Sequence, residues 1–203
     1  MVSLAKRNRN GADTLKKLVI RFNAPVVLSF ALLSLLALIL DGVTGGYTTS
    51  EFFCVYRSSL SDPFTYVRFF GHVLGHADYS HYMSNMLLLL LIGPTLEEKY
   101  GSKTLLMTIA VTALVTGLVN FVFFPSTALL GASGVVFMMI VLSSFTEMKK
   151  GGIPVTLILV VIFYLGGEIM DGIRGSDSIS QLTHIVGGVC GMFFGFTLRG
   201  RKR

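Results

Sequence analysis

Charge is what this chain has least of. Only 14% of its 203 residues are Asp, Glu, Lys or Arg, while 52% are hydrophobic. A soluble domain carries about a quarter charged residues. The scarcity excludes an ordinary water-soluble domain and implies an integral membrane protein, of a length that fits one domain. Cysteine is scarce too: Cys54 and Cys190 provide neither a disulfide framework nor a metal motif. Cys190 reads as a small apolar packing residue and Cys54 as a free thiol. The chain lacks His-Glu-x-x-His, so a metal centre built on His72, His76 and His81 is not expected. It also lacks Gly-x-Ser-x-Gly, since position 135 is Val, which argues against a soluble-type serine hydrolase. Internal repeats and low-complexity linkers are absent. The first apolar run follows a basic segment without a clear small-residue cleavage site, so no cleavable leader is expected.

What is present is a series of apolar runs. The segment 1–22 is a basic tail with Lys6, Arg7, Arg9, Lys16, Lys17 and Arg21 against one acid, Asp13. The membrane domain is expected over 23–198, and 199–203 form a basic C-terminus. Asn23 to Leu40 makes a first span, whose eighteen residues reach about 27 Å at helical rise, close to the roughly 30 Å hydrocarbon core. Asp41 to about Ser80 is a long connection rich in aromatics, too apolar for a solvated loop and too interrupted for a span. It reads as a folded, partly helical segment in the interface. Further spans are expected at His81–Leu96, Thr104–Phe124, Ile153 to about Leu165, and Ile179–Leu198. Between the third and fifth lies an odd one. If helical from Ser133 to Phe145, it reaches only about 20 Å, too short to cross. The uncharged segment 125–132 before it must then dip into the membrane, where non-helical backbone is tolerated only inside protein or beside a watery cavity.

Lys and Arg set the orientation. The tail, the second and fourth loops and the C-terminus hold fourteen, against Arg57, Arg68 and Arg174 in the other loops. By the positive-inside rule both termini are cytoplasmic, six spans satisfy the parity, and Ser133 faces outward. The net charge of +6 is thereby assigned to membrane orientation and not to nucleic acid.

Three histidines fall in one stretch, His72, His76 and His81, and the fourth is His184, about 8 Å below the outer end of the last span. An ionisable residue at that depth is a functional candidate. Gly187, Gly191 and Gly195 recur every fourth residue on one face of the same span, a seam that permits close helix approach. If that seam meets Gly134, His184 comes within reach of Ser133, a hydroxyl set between Gly131 and Gly134. Serine becomes a useful nucleophile when a neutral imidazole takes its proton. His81 and Asn85, four residues apart on the outer end of the second span, share a face and could donate to a developing oxyanion.

These residues resemble the rhomboid intramembrane serine proteases. The resemblance rests on Gly131-Ala132-Ser133-Gly134, on His81-x-x-x-Asn85, on His184 followed by Gly187 and Gly191, on Arg68 before His72 and His76, and on Glu97 with Gly101. It covers about Asp62 to Leu198. It implies a fold, an all-α bundle of six transmembrane helices with a short fourth helix and a long interfacial first loop. It implies an activity, endopeptidase cleavage in or next to the transmembrane helix of a membrane-protein substrate. It implies a dyad of Ser133 and His184, and an oxyanion hole from the Ser133 backbone N–H, His81 and Asn85. Gly131, Gly134, Phe137, His76 and Gly187 would support the site, His76 and His72 as structural or cavity-lining groups, and Arg68 as an anchor of the first loop. Phe137 stands where the family often has Tyr stacked on the base, and Val67 where it often has Trp before Arg. No cofactor, metal, nucleic acid or obligate partner is expected. The partners are the bilayer and transmembrane substrates, the setting a plasma membrane with the site opening outward. The competing expectation is a non-catalytic rhomboid-like scaffold for client helices. Loss of the serine or histidine would mark such a scaffold, and both are present.

Overall fold

A computed structural model describes residues 23–146, 155–160, 162 and 178–198. Residues 1–22, 147–154, 161, 163–177 and 199–203, which include the basic tail and both ends of the expected fifth span, lie outside the described residues.

The helices follow the apolar runs. Helix α1, Pro25–Thr44, starts with proline at its first turn, where the missing N–H costs nothing. The long connection is folded, as expected. It contains α2 (Tyr47–Phe52), α3 (Pro63–Gly71) and a 3₁₀ turn at His72–Leu74. Asp62 caps α3 by accepting from Phe64 N–H at 2.9 Å. Asp78 caps α4, Tyr79–Tyr100, by accepting from His81 N–H at 2.7 Å, and so starts the second long helix two residues before the expected His81. Helix α5, Ser102–Phe123, stops just before Pro125. Helix α6 is Ser133–Ser144, followed by α7 (Val155–Val160) and α8 (Ser178–Thr197). Among the described residues no sheet forms; an isolated antiparallel bridge pairs Val55 with Leu129.

Helices α1 and α5 are long and apolar enough to cross a membrane. At 20 and 22 residues they reach about 30 and 33 Å. Helix α6, with 12 residues, reaches only about 18 Å and lies enclosed by the others. The side chains are sorted inside-out. Leu32 and Leu36 of α1, Leu87 and Leu91 of α4, and Phe193 and Phe196 of α8 lie exposed. Thr108, Thr112, Thr116 and Asn120 of α5 are buried. Thr112 and Thr116 each donate to the carbonyl four residues back at 2.8 Å, so their hydroxyls are satisfied while the small side chains admit close neighbours. Apolar surface of this size left outside implies lipid as the solvent. An apolar cavity of about 480 Å³ between α1, α5 and the 3₁₀ turn, lined by Phe30, Leu33, Val73 and Ile109, belongs to that outer surface and lies away from Ser133.

Two buried charges hold the frame. Glu97, 2% exposed, accepts from the N–H groups of Val26 and Val27, each at 3.0 Å. These are orphan donors at the start of α1, so the carboxylate of one helix caps another. Arg68, 1% exposed, ties the first loop together. It donates to Asp62, to Ser58 Oγ at 3.2 Å, to Thr65 Oγ1 at 3.1 Å and to the Glu51 carbonyl at 3.2 Å. Its guanidinium also lies 4.7 Å above the Tyr56 ring. The hydrogen bond from Arg68 holds the Asp62 carboxyl below the usual carboxylate range, so the pair stays ionised at neutral pH.

Replacing Glu97 by Ala is expected to cost about 1.5–3 kcal/mol, the scale of hydrogen bonds to a charged group, and Glu97→Gln less. Melting of both variants in one detergent measures it. No loss in Glu97→Ala would mean that α1 is fixed without the cap.

Candidate active site

The segment 125–132 starts exposed and is buried at Leu129, Gly131 and Ala132 as it reaches Ser133. Leu129 and Val55 exchange both backbone hydrogen bonds, 2.9 and 2.8 Å. Gly131 N–H then donates to the His72 carbonyl at 2.9 Å. Gly131 has φ +122°, a conformation that disfavours side chains, and a Cβ there would stand 2.8 Å from both Cε1 and Nε2 of His81. Ala132 precedes the helix without a side-chain cap, and Val136 is the residue whose N–H first bonds back, to Ala132 at 2.9 Å. The N–H groups of Ser133, Gly134 and Val135 therefore have no partner within the helix, and the positive end of its dipole is at Ser133.

The last helix closes the other side. A Cβ on Gly187 would lie 2.1 Å from the Gly134 carbonyl oxygen, and one on Gly191 2.5 Å from that of Met138. One on Gly195 would strike the Phe145 ring at 2.3 Å. The seam seen in the sequence thus runs along α6 for its whole length. One turn before Gly187, the His184 ring stacks on Phe137 with centroids 4.2 Å apart and planes within 4°. Phe137 lies one turn below Ser133 on α6. Ser133 and His184 are both partly exposed, so the site is not sealed.

The other expected residues take distinct places. The His81 ring lies against Gly131, and its Nδ1 accepts from Ala77 N–H at 3.5 Å. With Nδ1 accepting, the ring proton belongs on Nε2, on the side of the ring that faces Gly131. Asn85 is buried one turn further along α4 and donates one amide N–H to the His81 carbonyl at 3.0 Å, which leaves its second N–H for any other acceptor. His76, 1% exposed, stands behind His81 with ring centroids 5.0 Å apart and has its Nδ1 3.2 Å from the Leu74 carbonyl. His72 is set apart from this group: its Nε2 lies 3.0 Å from the Ala113 carbonyl on α5. Burial holds both imidazoles below the ordinary histidine range, so they are neutral. Among the described residues no group of three or more His, Cys, Asp or Glu could hold a metal ion. Cys54 is a buried free thiol whose pKa burial raises, an unreactive state.

Sequence reasoning missed Thr116 and Thr183 here, and it left Asn120 facing either a helix neighbour or an interface. Thr116 and Thr183 flank Gly134 from α5 and α8, each with its methyl 3.2 Å from where a Cβ would be. Asn120 donates to the Val55 carbonyl at 3.2 Å. Only the four-residue spacing of the α5 threonines hints at the first, and nothing local marks the others. Chemically, the head of α6 offers a hydroxyl, an imidazole and free N–H groups, the parts that acyl transfer needs.

The family model described as the Rhomboid domain matches residues 63–201, leaving α1 outside. Rhomboid-related protein 1 of Caenorhabditis elegans is 32% identical over 142 residues, 64% of this chain and 39% of its own length. Rhomboid-related protein 2 of Mus musculus is 29% identical over 160 residues, 68% of this chain and 53% of its own length. The chain thus spans about half or less of these curated relatives.

Gly187→Val is expected to abolish the reaction of Ser133 with a fluorophosphonate, although no titratable group is touched. It should also lower stability by about 1–3 kcal/mol, the cost of overpacking. Gly195→Val, two turns further along, should cost stability with a smaller effect on reactivity. Labelling rates and melting in the same detergent decide it; full reactivity in Gly187→Val would detach His184 from Ser133.

Proposed function

The chain belongs to the rhomboid family of membrane proteins, and on that premise we propose that it is an intramembrane serine endopeptidase with Ser133 and His184 as its dyad. The observation that carries the proposal is the stacked, glycine-backed placement of His184 along the first turn of α6. In this reading His184 takes the Ser133 proton as Oγ attacks the scissile carbonyl. The oxyanion that forms accepts from the Ser133 N–H, from His81 Nε2–H and from the second N–H of Asn85. His184 returns the proton to the leaving amine, and water entering from the outer side releases the acyl group. The stacking surface of Phe137 holds the imidazole in place of a third, acidic partner.

The proposal extends to six spans with both termini cytoplasmic in the plasma membrane, and to substrates that are themselves transmembrane helices. A substrate helix must unwind to present a carbonyl to Ser133, so helix-breaking residues near the outer face are favoured at the cleavage site.

Ser133→Ala and His184→Ala are each expected to abolish cleavage of a model transmembrane substrate while leaving the melting curve intact. A nucleophile and its base act as a unit, and losing either costs orders of magnitude. A fluorophosphonate should label the chain at Ser133 alone. A few-fold effect, or a label elsewhere, sinks the dyad and leaves the scaffold reading.

Asn85→Ala is expected to lower kcat by about 10- to 1,000-fold with little change in KM, as for one oxyanion donor. His81→Ala should do the same or less. An unchanged rate in Asn85→Ala would reduce that amide to its bond with His81.

A further inference from the structure

Asn120 is a buried amide, 2% exposed, in the last turn of an otherwise apolar helix end. All its hydrogen-bonding capacity is directed out of its own helix. Its Nδ2 donates to the Val55 carbonyl at 3.2 Å and to the Thr127 carbonyl at 3.4 Å. Its Oδ1 lies 3.4 Å from Thr127 Oγ1, whose single proton is shared with the nearer Phe124 carbonyl at 3.1 Å. One side chain thereby grips the first loop at Val55 and the loop that leads to Ser133 at Thr127. Val55 is the residue that exchanges both backbone bonds with Leu129. Two residues on, Gly131 is bound to the His72 carbonyl, and two further on stands Ser133. The loop is non-helical backbone, so bonds to neighbouring elements and not a helix ladder hold its shape. The bridge is therefore only as rigid as the groups that hold Val55 and Thr127.

We propose that Asn120 is a positioning residue for Ser133: it locks the first loop to the segment 127–131 and so fixes where the nucleophile and its N–H groups stand. The inference rests on the serine-protease reading given above. Asn120 touches no reacting atom. Its effect reaches the site through Leu129 and Gly131. A displacement of about 1 Å at a nucleophile can cost about 100-fold in rate, so a tether of this kind controls kcat while leaving substrate binding alone.

The test uses a full-length parent with Cys54→Ala, Cys190→Ala, Val55→Cys and Leu129→Cys. Directly paired residues that exchange both hydrogen bonds have Cα atoms about 5.5 Å apart, within disulfide range. The parent and its Asn120→Leu derivative are compared reduced and oxidised. The reduced derivative should lose about 10- to 100-fold in kcat with KM within about twofold. Its amides at 127–132 should exchange about 10-fold faster, with the rest of α5 unchanged. Oxidation, which replaces the tether by a covalent bridge, should restore both quantities and leave the parent as it was. Full kcat in the reduced derivative overturns the inference, and so does a loss that oxidation does not repair. Unchanged exchange at 127–132 overturns it whatever the rate. A parent that neither cleaves substrate nor takes a fluorophosphonate sinks the protease reading instead; exchange at 127–132 still reads the tether.

Discussion

A Cβ on Gly187 would stand 2.1 Å from the carbonyl oxygen of Gly134, so α8 can lie against α6 only because position 187 carries no side chain. The rest of the site depends on that contact. Close approach of the two helices sets the His184 ring flat on Phe137 and brings it alongside the head of α6. A helix pair separated by ordinary side chains sits 8–10 Å apart, too far for an imidazole to serve a hydroxyl on the facing backbone. The same seam continues to Gly191 and Gly195, so the alignment is set along the whole of α6 and not at one point.

The second constraint is the shortness of α6. A helix of 12 residues reaches only about 18 Å, and the chain leads to it over 125–132 as irregular backbone. Such backbone survives only if protein satisfies it. The first loop does this. It supplies the Val55 partner for Leu129 and the His72 carbonyl for Gly131, and α5 supplies Asn120. A loop that is itself to act as a partner must be rigid, and Arg68 makes it so by joining Asp62, Ser58, Thr65 and Glu51 around one guanidinium. Both terminal nitrogens of the buried arginine find fixed acceptors on a folded loop, the condition under which a buried charge is tolerable.

Helix starts are fixed in the same economical way. Asp62 and Asp78 cap α3 and α4 from the adjacent chain, while Glu97 caps α1 from 70 residues away. At the opposite end of the bundle from Ser133, Lys99 donates to the Thr146 carbonyl just past α6. The short helix is thus held at its tail by α4, as its head is held by the first loop and α8.

Much of this was legible in residue order. Lipid leaves a chain with helices as its way to satisfy backbone, so apolar runs, prolines and charged turns were enough to locate α1, α4, α5, α6 and α8. The four-residue recurrence of Gly187, Gly191 and Gly195 marked a face, and the structure lays that face along α6. What tertiary structure alone decided were the pairings between distant polar groups. Glu97 with Val26 spans 71 residues, Asn120 with Val55 spans 65, and His72 with Ala113 spans 41. Such a bond depends on where two backbones arrive after the bundle has packed. No periodicity records that arrival, because a single Glu or Asn reads the same in sequence whether it faces lipid headgroups or a buried carbonyl.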